Sequence, residues 1–107
     1  MKVARFHPAA RDELRTFPED VRRAFGKAIY DLQLGHVLSM PLSRAMPAVG
    51  NGVAELRIRD PSGAYRAFYV VRSADAIIVF HAFSKKTQKT PTREIHLGKK
   101  RLKEMLS

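Results

Sequence analysis

Between Val53 and Phe83 the chain repeats one pattern three times: an alternating or apolar run of seven or eight residues, then a connection of only a few residues. Val53 to Arg59 places Ala54, Leu56 and Ile58 on one face and Glu55, Arg57 and Arg59 on the other. Asp60-Pro61-Ser62-Gly63 has the residue types of a tight turn. Tyr65 to Arg72 is the second run, Ser73-Ala74-Asp75 the second connection, and Ala76 to Phe83 a largely apolar third run. Neighbouring parallel strands need a crossover of about a dozen residues or more, which these connections cannot supply. The three runs therefore predict an antiparallel meander, and everything else must pack around it.

The flanking segments read as helices. Lys2 to Phe6 is a candidate first strand. Pro8 suits the first helical position, and Ala10, Leu14 and Phe17 recur at helical spacing up to Pro18. A second helix opens with Glu19 and Asp20, carries Val21, Phe25, Ile29 and Leu32 on one stripe, and stops at Gly35. Residues 36–52 hold Pro41, Pro47, Gly50 and Gly52 and read as a long loop. Thr90-Pro91 reads as the cap and first residue of a last helix, with Ile95, Leu102 and Met105 as its apolar stripe. The expected order is β-α-α-β-β-β-α. This is an α+β fold with a helical hairpin and a C-terminal helix around a small, mainly antiparallel sheet. A length of 107 residues fits a single domain over 1–107.

Charge narrows the partners. Twenty Lys and Arg face ten Asp and Glu, a net charge of +10. Residues 85–107 alone hold eight basic and two acidic groups, which points to a polyanion such as nucleic acid or the ribosome. A solvated basic helix, or one docked on an acidic protein, is the plainer alternative. No cysteine is present, so disulfides, a cysteine nucleophile and Cys-based zinc sites are excluded. No His-x3-His pair, Gly-rich phosphate loop or G-x-S-x-G elbow occurs, and neither a metal nor a cofactor is expected. The longest apolar run is Ala76 to Phe80, far below the ~20 residues of a membrane span. With no stretch resembling a signal peptide, a cytoplasmic protein without membrane contact is expected.

What remains is a basic and aromatic set on the meander and just after it. Arg57, Arg66, His81 and Tyr69 are the candidate catalytic residues. Lys85, Lys86, Lys89, Lys99, Lys100 and Arg101 are the candidate RNA-binding residues. Arginine and lysine suit phosphate, tyrosine stacks on a base, and histidine moves a proton near neutral pH. Such a set suits metal-free RNA cleavage, in which the 2′-OH attacks the adjacent phosphate. Each residue has a plainer role. Arg57 pairs with Glu55 or Glu94; Tyr69 packs in the sheet. Arg66 and Tyr69, three apart, point to opposite faces unless a bulge intervenes. His81 shares a face with Ile77 and Val79, as a satisfied buried histidine would.

The stretches Glu55-Leu56-Arg57, Tyr65-Arg66-Ala67-Phe68-Tyr69 and His81-Ala82-Phe83-Ser84-Lys85-Lys86-Thr87-Gln88-Lys89-Thr90-Pro91, with Glu94-Ile95 beyond, resemble the phage-derived HigB-like branch of the RelE/ParE toxins. The run from Lys85 to Pro91 is the most specific part, and the similarity extends from the helical hairpin to the last helix. Ala67 and Ala82 stand where Val and Gly are expected. The resemblance implies a type II toxin that cleaves mRNA in the ribosomal decoding site. It implies a cognate antitoxin, in this branch often with a helix-turn-helix domain, and contact with operator DNA only through that antitoxin. By position it implies roles for Arg57, Arg66, His81 and the lysines at 85, 86 and 89. The alternative within the same superfamily is a ParE-like inhibitor that binds DNA gyrase without catalysis. A third reading is a basic interaction module without activity.

Overall fold

The structure is a computed structural model and describes residues 1–73, 75–86 and 89–107. In chain order the elements are β1 (Val3–Phe6), α1 (Pro8–Thr16), α2 (Glu19–Gln33), β2 (Ser43–Ala45), β3 (Val53–Asp60), β4 (Gly63–Arg72), β5 (Ala76–Lys85) and α3 (Thr92–Leu106). The sheet order is β1-β5-β4-β3-β2. The pairs β3–β4 and β4–β5 form the expected antiparallel meander, and β1 lies parallel to β5. Ala74, in the expected β4–β5 connection, and Thr87-Gln88, in the basic connection, lie outside the described residues.

The local signals act as their chemistry requires. Pro8 opens α1, while the His7 ring accepts a hydrogen bond from the Ala9 amide at 3.1 Å. Phe17, before Pro18, is extended and ends that helix. Gly35 follows α2 at φ +92°, a conformation that costs glycine nothing, and donates to the Leu32 carbonyl.

The sheet buries both faces. The hairpin of α1 and α2 covers one, with Phe17, Val21, Phe25 and Leu32 against Leu56, Ala67, Tyr69, Ile77 and Val79. On the other, Ile95, Leu102 and Met105 of α3 pack on Val53, Phe68, Phe80 and Phe83.

Three expectations are corrected. The loop 36–52 contains β2, which pairs antiparallel with β3 from Ser43↔Leu56 to Ala45↔Ala54. Three residues are too few for alternation to show; hydrogen bonding to β3 makes them a strand. Thr90 does not cap the last helix. Pro91 occupies the cap position, and the Thr90 hydroxyl donates to the Glu55 carboxylate at 2.9 Å. Finally, β5 carries a bulge. Phe68 pairs with His81 and Tyr69 with Val79, so Phe80 is the extra residue. Ile77 and Val79 face the helical hairpin, but beyond the bulge the parity reverses and Ala82 takes that side. His81 therefore turns to the α3 side, where its ring contacts those of Phe68 and Phe83.

The apolar stripe of α3 has a glycine in its middle. A Cβ on Gly98 would lie 2.7 and 2.8 Å from two atoms of the Phe68 ring, so only glycine lets helix and sheet approach this closely. Gly26 of α2 faces open space instead. The same substitution thus has opposite signs at the two sites. Gly26→Ala is expected to stabilise by up to about 1 kcal/mol through helix propensity. Gly98→Ala is expected to destabilise by about 1–3 kcal/mol through overpacking, with Phe68→Leu recovering part of the loss in a double-mutant cycle. Urea unfolding of the wild type and the four variants measures both.

Candidate nucleic-acid interface

Strand register sets the site. Across β3, β4 and β5, one rung joins Glu55, Phe68 and His81; the next joins Arg57, Arg66 and Phe83; the third joins Arg59, Ala64 and Lys85. All of these alternate positions on β3 point to the α3 side. The helix covers the first rung through Phe68. The next two carry the cations that border two open concavities.

Glu55 is fully buried, at 0 % exposure, and Arg66 is 2 % exposed. The Glu55 Oε1 atom lies 3.6 Å from Arg66 Nε and 3.8 Å from Arg57 Nε, while Oε2 accepts the Thr90 hydroxyl. None of Oε1 and the two Nε atoms makes a hydrogen bond. The contacts are therefore coulombic, and the carboxylate holds two guanidiniums side by side that would otherwise repel. Arg66 also donates to the Tyr65 carbonyl at 3.0 Å, and Arg57 reaches Met40 Sδ at 3.5 Å. The Arg57 side chain stays 18 % exposed, so part of it faces solvent.

Burial holds the Arg66 guanidinium below its ordinary range; Glu55 opposes this, and Arg57, Arg59 and Arg44 add to it. Lys85, also buried, is lowered by the same desolvation and then by Arg66, with Glu55 acting against them. A lysine shifted this way is a better proton carrier near neutrality than a solvated one. Arg57, Arg66, Arg59 and Lys85 thus form one electropositive field around a single buried carboxylate.

Other expected residues lie elsewhere. Tyr69 faces the helical hairpin, where its hydroxyl and that of Ser43 are hydrogen-bonded at 2.6 Å. Burial raises its pKa, and its ring lies on the opposite face of the sheet from Arg57 and Arg66. His81 is on the α3 side but engaged at both nitrogens. Arg101 donates to Nδ1 at 2.7 Å, so in the neutral ring Nε2 carries the hydrogen and donates to Glu94 at 2.8 Å. This is a strut between sheet and helix, and it withdraws Arg101 from the solvent patch. Lys99 and Lys100 are exposed, and Lys99 borders a separate concavity with Leu102, Lys103 and Leu106. Lys86 and Lys89 are exposed. Glu55, Arg59 and Thr90 were not among the expected site residues. The alternation had grouped Glu55 and Arg59 with Arg57, and Thr90 had read as a helix cap. Among the described residues, no group of three or more His, Cys, Asp or Glu is arranged to hold a metal, and no helix is long and apolar enough to cross a membrane.

The strut has a pH signature. Burial lowers the His81 pKa; the hydrogen bond to Glu94 opposes this, Arg101 adds to it, and Glu94 and His7 charges contribute less. The unfolded chain then binds more protons than the folded one between the lowered value and the unperturbed value of about 6.5. Stability is therefore whole above pH ~6.5 and falls as the pH drops through that window. Urea unfolding across this range should show the loss in the wild type, and a smaller one in His81→Gln.

Residues 12–103 match the family model described as phage derived protein Gp49-like (DUF891). No curated protein matches the chain in sequence. Among solved structures, the isolated RelE toxin of E. coli, P21 form, superposes with a TM-score of 0.55 at 18% identity, covering 98% of this chain and 99% of that one. A chain of the intact E. coli RelBE toxin–antitoxin complex gives 0.49 at 18% identity, covering 83% of this chain and 100% of that one. The first of these shows a shared fold, and the match over residues 12–103 shows that the chain belongs to the Gp49-like family of phage-derived proteins.

Proposed function

We propose that this protein is the toxin of a type II toxin–antitoxin pair, of the HigB-like branch, and that it cleaves mRNA on the ribosome in the cytoplasm. The observation that carries the reading is the pair Arg57 and Arg66, held together by buried Glu55 beside buried Lys85, on a fold shared with a RelE toxin. Two guanidiniums and an ammonium in a partly desolvated site suit a phosphorane, whose extra negative charge exists only in the transition state.

The nucleophile is the RNA's own 2′-hydroxyl. The 2′-oxygen bonds to phosphorus and loses its proton to an acceptor. The bond from phosphorus to the 5′-oxygen breaks, and that oxygen gains a proton. The products are a 2′,3′-cyclic phosphate and a 5′-hydroxyl. Arg57 and Arg66 stabilise the charge, and neither loses its own proton. Lys85 is the residue whose environment suits proton transfer. The surface lysines and the +10 net charge draw the protein to ribosomal and messenger RNA. The same charge makes an acidic segment of the antitoxin the complementary mask, with any operator contact made through the antitoxin.

The test is a translating extract. Wild-type protein should shorten the mRNA and leave upstream fragments ending in a 2′,3′-cyclic phosphate. Arg57→Ala, at a partly exposed position, should fold and still bind ribosomes but cleave about 100-fold more slowly, the order expected for losing one charge-stabilising group. Intact mRNA together with blocked DNA supercoiling would instead establish the gyrase-binding alternative.

A further inference from the structure

Two concavities open on the arginine-bearing part of the sheet, and they share a wall. One, of about 400 Å³, is lined by Pro41, Leu42, Arg57, Arg59 and Arg66. The second, of about 370 Å³, lies at the β3–β4 tip, where residues 59–64 meet Arg66, Lys85 and Lys86. Arg59 and Arg66 border both and form the ridge between them. Each is near the lower end of the range of about 300–1,000 Å³ for ligand sites, which suits one nucleotide rather than a larger group.

Their chemistry differs. The first combines the hydrocarbon of Pro41 and Leu42 with three arginines, chemistry that suits the face of a base. The second is polar and already ordered. Asp60 Oδ1 accepts from the Ser62 amide at 2.8 Å, the Ser62 hydroxyl at 2.6 Å and the Gly63 amide at 3.2 Å. That turn fixes the wall before any ligand arrives, so binding costs little ordering. Four cations border this concavity, and its one carboxylate is engaged by the turn's own donors. Arg66 and Lys85 are buried there.

We propose that the hairpin-tip concavity is a second phosphate subsite, so that a single RNA strand crosses the Arg59–Arg66 ridge with one nucleotide on each side. The rung of Arg57 and Arg66 holds one phosphate; Arg59, Lys85 and Lys86 hold its neighbour. The two rungs are two residues apart along the strands, about 7 Å, a spacing of the order of that between successive phosphates of an extended strand. The inference rests on the proposed nuclease reading for RNA as the ligand and adds how many phosphates the site engages.

The probes are the 2′-O-methyl dinucleotide UpU, which cannot be cleaved, and the same dinucleotide with one further phosphate at its 5′ or its 3′ end. Binding to the free protein is read by NMR titration, which detects weak complexes. One of the two phosphorylated forms should bind about tenfold more tightly than UpU, the gain expected for one well-placed charged contact. Lys86→Gln borders only the tip concavity and should abolish that gain while leaving UpU binding within about twofold, since the first concavity lacks this residue. Arg59→Gln should weaken all three probes. Absence of the gain, its survival in Lys86→Gln, or no binding of any probe overturns the subsite. Cleavage in the extract is scored separately. Cleavage without the gain rejects the subsite alone, and the gain without cleavage rejects the nuclease alone.

Discussion

A carboxylate without water is tolerated only where cations or donors replace the water, and Glu55 has no exposure at all. Its partners come from three separate places: Arg57 two residues along the same strand, Arg66 on the neighbouring strand, and Thr90 at the entry to the last helix. The interaction is reciprocal. Removing Glu55 would leave Arg66, itself buried, without a counter-charge, a change that typically costs about 3–5 kcal/mol. The carboxylate therefore ties the sheet to the segment that leads into α3, and it is also what permits two guanidiniums to stand together at an open concavity. Stability and the proposed chemistry share the same side chains. The poor hydrogen-bond geometry of Oε1 and both Nε atoms fits a cluster held by charge.

The last helix is the second constraint, because it covers the rung of Glu55, Phe68 and His81 through Phe68. Gly98 sets the distance of closest approach by lying against Phe68. The His81 ring then bonds to Glu94 and Arg101, about two helical turns apart on α3. His7, at the start of α1, adds a contact to Glu104 at 2.8 Å. Packing fixes how near the helix comes, and these polar contacts fix its rotation. The bulge at Phe80 makes the arrangement possible, since without it His81 would face the helical hairpin with Ile77 and Val79.

Much of the fold could be read from the residues alone. The alternation of Val53 to Arg59, the short connections and the apolar stripes of the helices specify the meander, the hairpin and the terminal helix, because each signal is local and has a fixed period. Short β2 escaped, since a strand of three residues exists only through its partner. The role of Thr90 escaped for a related reason: a threonine before a proline signals a cap, and nothing local shows that a buried carboxylate 35 positions earlier competes for its hydroxyl. The side assigned to His81 was wrong because the bulge lies inside an unbroken apolar run, where period-2 counting has nothing to register the extra residue.

The candidate site divides in the same way. The residues by themselves determined that Glu55, Arg57 and Arg59 share a face and that Arg66 and Tyr69 do not, because successive side chains on a strand must alternate. They also determined the excess of positive charge and where along the chain it concentrates. Only the tertiary structure decided that the polar face of β3 is half covered, so that Glu55 becomes a buried counter-ion rather than a surface acid. It alone separated Lys85 and Lys86, which border the arginine field, from Lys99, which borders another concavity, and from Arg101, which turns inward to His81. Burial and register depend on which elements meet across the whole chain, and no local pattern carries that information.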